Sequence, residues 1–424
     1  MRGRAVTMML VLTMAAMAVP AAAQPAARPS TTPASGDESI DYHQWDSSRD
    51  FAKGVRDGVS LGAGGLRISR PAGTIQRSEP ALGTNRTYEF GTWTSPSYKP
   101  GFDATELIAS WSARTPRKTW LQVEASARTA QGDDTNWYVL GQWAHGDDDI
   151  QRTTVEGQRD EHATVFVDTL ATKAGVTLRS YRLRVTLYRE QGSRTTPVLR
   201  AVGAMTSTVP DRFEVPISEP GAARGIELPV PRYAQNLHKG QYPEYGGGGQ
   251  NWCSPTATQM VIEYWGRKPS QRELSWIPAG YTDRSVAHAA RHTYDYSYEG
   301  TGNWPFNTAY AAHYGLRGHI TRLHSLAELE GYIARGIPVI TSQSFLESEL
   351  DGAGYGTAGH IMVVVGFTED GDVIANDPAS NSNAGVRNVY DRAQFETIWQ
   401  RTQRIDADGD VAGGPGGVVY VISP

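Results

Sequence analysis

From Glu38 to about Val209 the chain alternates apolar and polar positions with period two. Leu107, Ala109, Trp111 and Ala113 fall on one side of such a run, and Leu121, Val123, Ala125 and Ala127 on another, against Gln122, Glu124 and Ser126. Leu183, Val185 and Leu187 alternate in the same way with Arg182, Arg184 and Thr186. Period two places one set of side chains in a core and leaves the other wet, as antiparallel strands do. Turn signals at Gly132-Asp133-Asp134 and His145-Gly146-Asp147 separate the runs, and no useful helical period interrupts them. The pattern predicts an all-β sandwich, jelly-roll-like, over residues 38–209.

The second half changes period. Ala257, Met260, Val261, Tyr264 and Trp265 recur at offsets of three and four, with Pro255 in the first turn and Gly266 as a stop. A helix is therefore predicted from about Cys253. Further helices are predicted over Asn303 to Gly315, over Leu326 to Arg335, and around Phe395 to Trp399. Ile337 to Ile340 and Ile361 to Gly366 read as buried strands, and Val418 to Ile422 as a terminal strand closing the sheet. The expectation is an α+β domain over residues 225–424. Between the halves, Pro210, Pro216, Pro220, Gly221, Pro229 and Pro231 give the text of a linker, placed at 210–224, so the second half is expected to fold alone.

The first residues read as an export signal, 1–23: Arg2 and Arg4, an apolar run from Ala5 to Val19, then the small residues Ala21 to Ala23. That run is shorter than the roughly 18 residues a membrane span needs, so no span is expected once the signal is removed. Residues 24–37, rich in Pro, Ala, Ser and Thr, read as a disordered leader. The expected location is extracellular. A formal charge of −5 over 424 residues argues against a nucleic-acid partner, which would require a basic patch.

Cys253 is the only cysteine, so no disulfide can form within the chain. A lone thiol in an oxidising compartment is a liability unless it is used or well buried. At a helix start the positive end of the dipole favours the thiolate, which is the nucleophilic form. A small buried hydrophobe is the plainer account of an isolated cysteine.

A cysteine nucleophile needs a base and a group that orients the base. Among ten histidines, His360 stands out, because it follows the glycine-rich stretch Gly352 to Gly359 and precedes the buried strand. A turn at Glu369 to Asp372 then brings the chain back as Val373 to Asp377. Asp377 should thus approach His360 and accept its Nδ1–H.

Other candidates carry less. His288 and His292 have the i, i+4 spacing of a zinc pair, but Ala289 stands where the metalloprotease motif needs glutamate, so an ordinary surface or core helix is preferred. His238, His313, His319 and His324 lack strong local grammar. Trp93, Trp111, Trp120, Trp137 and Trp143 could stack on sugars, with packing the simpler account. Asp147, Asp148 and Asp149 read as a solvated hairpin tip rather than a calcium site. No cofactor and no metal is expected.

Val230 to Gln235, Trp252 to Thr256, Gly359-His360 with its apolar strand, and Asn376 to Pro378 together resemble the bacteriocin-processing type of cysteine peptidase, family thirty-nine of the papain clan. The resemblance covers the second half only. It implies a papain-like fold with Cys253 as nucleophile, His360 as base, Asp377 as orienter and Gln235 as the oxyanion-hole side chain. Gln250 is the other glutamine near the cysteine, but it follows the flexible run Gly246 to Gly249. Ser254 stands where well-known members of that family carry glycine, and no transporter accompanies the domain, so a double-glycine specificity is not implied. The expected activity is hydrolysis of a peptide or protein substrate, with the sandwich a candidate for holding a cell-wall or surface polymer. Papain-like amidases and transglutaminases share the same chemistry. A binding protein built on an inert peptidase fold is the alternative from another class, and the intact set of Cys253, His360 and Asp377 weighs against it.

Overall fold

The computed structural model describes residues 39–424, so the signal and leader expectations lie outside the described residues. The first half forms two sheets in which every pairing is antiparallel. One is built around Glu106–Arg114 and Val198–Thr208, the other around Thr84–Thr94, Leu178–Glu190 and Thr119–Thr129. The alternating residues do face a core, where Leu107, Ala109, Trp111, Leu121, Val123, Leu183 and Val185 are buried. Trp93, Trp111, Trp120 and Trp143 are buried with them, which makes those rings packing rather than platforms. Trp137 lies beneath the guanidinium of Arg184, 4.2 Å from its ring centre.

The second half is a six-stranded antiparallel sheet with helices against it. Its order is Arg317–Arg322, Val418–Ser423, Val339–Phe345, Thr357–Phe367, Val373–Asn376 and Arg387–Tyr390. The last strand of the chain is therefore an interior strand and does not close the sheet as expected. Its unbroken run Val418 to Ile422 is buried throughout, as an interior strand covered on both faces requires. The helices expected from periodicity form as Cys253–Tyr264, Trp304–His313, Leu326–Ile333 and Arg392–Gln400. Gly266 ends the first of these in the left-handed region, at φ +67°, where a side chain would be strained.

The two halves share one core. Phe306, on the helix of the second half, packs edge-on against Trp111 and tilted against Trp143 of the sandwich. A single cluster of buried apolar residues runs from Leu107 and Val123 through Phe306 to Met260, Val363 and Tyr420. Polar groups at this seam pair across it. Arg152, fully buried, donates to the carbonyls of Arg291 and Tyr294. The Ile320 amide donates to Ser110 Oγ, and the Trp304 amide to Asp168 Oδ2. Asp147 is not a solvated tip: it is 5% exposed and holds Arg291 at 2.6 Å, while Asp149 accepts from Arg86 and Arg117. The linker is laid along the second half, with Ser218 hydrogen-bonded to Glu396 and Gly221 to Glu330. Cutting the chain there would strip Phe306 and Arg291 of their partners.

Candidate active site

Cys253 is the first residue of its helix, after Trp252, and is partly buried. No side chain caps this helix start, so its first amides point outward unclaimed by a cap. The start is held from both sides. Trp252 Nε1 donates to the Tyr245 carbonyl at 2.7 Å, and Ser254 Oγ lies 2.9 Å from Tyr420 Oη in the sheet. Ser254 thus uses its hydroxyl to fix the helix start to the sheet.

His360 lies in the strand Thr357–Phe367 opposite Gln343, and the hairpin that follows carries Asp377 back to it. The contact is between His360 Nε2 and Asp377 Oδ1, at 2.8 Å. The nitrogen differs from the expected Nδ1. The contact through Nε2 leaves Nδ1 clear of the carboxylate, and Cys253 is the other group that acts on the imidazole. Asp377 and Cys253 therefore both act on the His360 imidazole.

Burial alone would push the His360 pKa down. The charge and hydrogen bond of Asp377, with a lesser contribution from Cys253, reverse this and raise it to about 10. For Asp377 burial pushes upward, and the imidazole, the Tyr355 hydroxyl and the Ala379 amide overcome it, holding the carboxyl below its ordinary value. The pair is thus arranged as imidazolium and carboxylate.

Gln235 is 4% exposed and opens a short turn beside the cysteine loop. Its Nε2 donates to the Gln250 carbonyl at 2.7 Å, and its backbone amide to the Pro378 carbonyl at 2.8 Å, next to Asp377. Gln250 is spent otherwise: its side chain accepts from the Gly240 amide at 2.9 Å and donates to the Gly247 carbonyl at 2.7 Å, tying off the glycine loop.

Sequence reasoning missed the residues that hold Asp377. Tyr355 Oη and Tyr390 Oη both donate to Asp377 Oδ2, at 2.8 and 2.9 Å, and the Ala379 amide donates to Oδ1 at 2.8 Å. Tyr355 was visible as the single aromatic ring in the stretch Gly352 to Gly359, a place where flexibility alone would not call for one. Tyr390 gave no local signal.

Residues 227–407 match the family model described as Peptidase_C39 like family, and residues 41–207 match the one described as Peptidase C39 N-terminal domain. The second half thus carries a peptidase C39-like domain, and the first half the N-terminal domain that the other model describes. The likeness thus reaches into the first half, where the sequence had shown none. No curated protein matches the chain. Among solved structures, a crystal structure from Bacillus anthracis, provisionally described as a C39-like peptidase, is 17% identical. That match covers 47% of this chain and 97% of the other, at a TM-score of 0.29.

Proposed function

We propose that this C39-like chain is an exported cysteine peptidase with a papain-like second half, hydrolysing peptide bonds in a peptide or protein substrate. The observation that carries the reading is that Asp377 and Cys253 both act on the His360 imidazole. In this mechanism the Cys253 thiolate attacks the scissile carbonyl carbon, forming a C–S bond and placing negative charge on oxygen. The Cys253 amide and Gln235 Nε2 are the donors assigned to that oxyanion, the latter by turning from the Gln250 carbonyl that it now meets. His360, as imidazolium, gives its proton to the departing amine, and the C–N bond breaks to leave a thioester. Water then attacks the thioester, losing its proton to His360, and the C–S bond breaks to release the acid product and restore the thiolate and imidazolium.

Asp377 remains ionised throughout and keeps the imidazole in place through Nε2. The jelly-roll-like sandwich shares a core with the peptidase half and serves here as part of its scaffold. Capture of a polymer by the sandwich would have to use a surface other than its four buried tryptophans. The test is to treat the purified chain with a biotinylated thiol-directed epoxide and map the label by peptide mass. Labelling at Cys253 that vanishes in His360→Ala is the expected result. Labelling that survives that change at full rate would sink the assignment.

A further inference from the structure

Four histidines that the proposed reaction does not use meet at the seam between the halves. His145 comes from the loop after the strand Tyr138–Trp143, His288 and His292 from the helix Arg284–Thr293, and His313 from the last turn of Trp304–His313. The rings of His145 and His313 lie face to face at 3.4 Å, and His292 stacks on His145 at 4.6 Å. Glu273 completes the group, 3.3 Å from His313 Nε2. Ligand atoms of His145, Glu273 and His313 all fall within 4.8 Å of one another.

We propose that His145, Glu273 and His313 form a zinc site that staples the sandwich to the peptidase half. The independent sign of a ligand is His145 Nδ1, which is buried and has no hydrogen-bond partner. An orphaned buried nitrogen is costly, and a metal ion removes that cost. Two nitrogens and one carboxylate form a donor set suited to zinc, whereas calcium and magnesium favour oxygen throughout. The 3.3 Å between His313 Nε2 and the Glu273 carboxylate is long for a hydrogen bond. It suits one edge of a tetrahedron with bonds of about 2.0–2.1 Å.

The cluster also has supporting contacts of the kind that hold metal ligands in place. His292 Nδ1 lies 2.7 Å from the His145 carbonyl, which can only accept, so the proton sits on Nδ1 and Nε2 keeps its lone pair. A water would fill the fourth position. Because the stacked rings direct their lone pairs in parallel, one ring must turn to share an ion with the other. His313, with its side chain 30% exposed, is the freer of the two.

The test uses the full chain carrying Cys253→Ser, so that the cysteine and His360 cannot hold the ion. Zinc is added, excess is removed, and bound metal is measured by atomic absorption, with affinity from competition against a chromogenic chelator. One zinc per chain is expected, with a higher melting temperature that a chelator reverses. Glu273→Gln and His313→Ala should each weaken binding by at least about tenfold and abolish the zinc-dependent rise in melting temperature. If His313→Ala fails to fold, Glu273→Gln, on a side chain 32% exposed, decides alone. Substoichiometric zinc in the parent, or affinity unchanged in Glu273→Gln, overturns the site.

Discussion

The active-site His360 and His288 of the seam cluster are buried to a similar degree, and their protons respond in opposite ways. Around His360 the lost hydration is outweighed by a buried carboxylate at 2.8 Å, and the pKa rises. Around His288 no carboxylate touches the ring; its partner is the neutral Tyr310 hydroxyl, and the pKa falls to about 2 through burial and its imidazole neighbours. Burial therefore does not decide what a histidine does. What faces it across the hydrogen bond does. One region is built to carry a proton and the other to refuse one.

Removing the carboxylate is the strongest way to break this contrast. Asp377→Asn should lower kcat by roughly 10⁴, with less loss if the amide oxygen accepts from Nε2 in its place. Since Asp377 is what raises His360, the alkaline limb of kcat/KM should also move down from about 10. A variant with full activity and an unmoved limb would take Asp377 out of the site.

Next in size is the oxyanion donor. Gln235→Ala should cut kcat by roughly 10²–10³ with KM little changed. Gln250→Ala should cost far less turnover, because its side chain is engaged with Gly240 and Gly247, and should show itself in the stability of that loop. Steady-state kinetics on the pair distinguish the two, and a silent Gln235 beside a crippled Gln250 reverses the assignment.

The tyrosines sharpen the comparison on a smaller scale. Tyr355→Phe and Tyr390→Phe each remove one donor from a charged oxygen, for an expected loss of about tenfold in kcat. As positioning residues they should leave KM and Cys253 labelling sites unchanged, and in the double variant their effects should depart from additivity, since both serve Asp377 Oδ2. Loss confined to thermal stability would make them structural only.

What was readable in the sequence is what is local. Pro255 and the spacing of Ala257, Met260 and Val261 mark the cysteine helix within a dozen residues, and the Glu369 to Asp372 turn brings two neighbouring segments together. The seam was not readable, because its partners are far apart along the chain. Asp147 looks solvated in any window that does not contain Arg291, and Ser110 looks like a wet strand position until Ile320 donates to it. Glu124 shows the same limit within the first half: alternation assigns it to water, but it is buried against Arg184. The nitrogen used by His360 was likewise set by the path of the returning strand rather than by residue type.

The smallest expected effect is on stability, and it tests the contrast between the two regions directly. In the unfolded chain every histidine titrates near about 6.5. His360 holds its proton up to about 10 when folded, so its contribution is complete below 6.5 and is lost as pH rises toward 10. His288 refuses its proton down to about 2 when folded, so its contribution is complete above 6.5 and is lost as pH falls. Each is limited to about 1.4 kcal/mol per pH unit, the slope of one proton. Asp168, raised to about 7 by burial, favours the folded state at low pH and loses that contribution as pH rises from about 4 to 7, opposite in sign to His288. Single curves therefore mix these signs, and the useful quantity is the difference between parent and variant. Denaturant unfolding from pH 4 to 10 should give a difference for His360→Ala that changes above 6.5 through the histidine itself, with a separate change at lower pH from Asp377, which loses the imidazole that holds its carboxyl down. The difference for His288→Gln should change only below it. If the His360→Ala difference is flat above 6.5, or the His288→Gln difference is flat below it, the facing group does not govern the two sites, and the contrast fails.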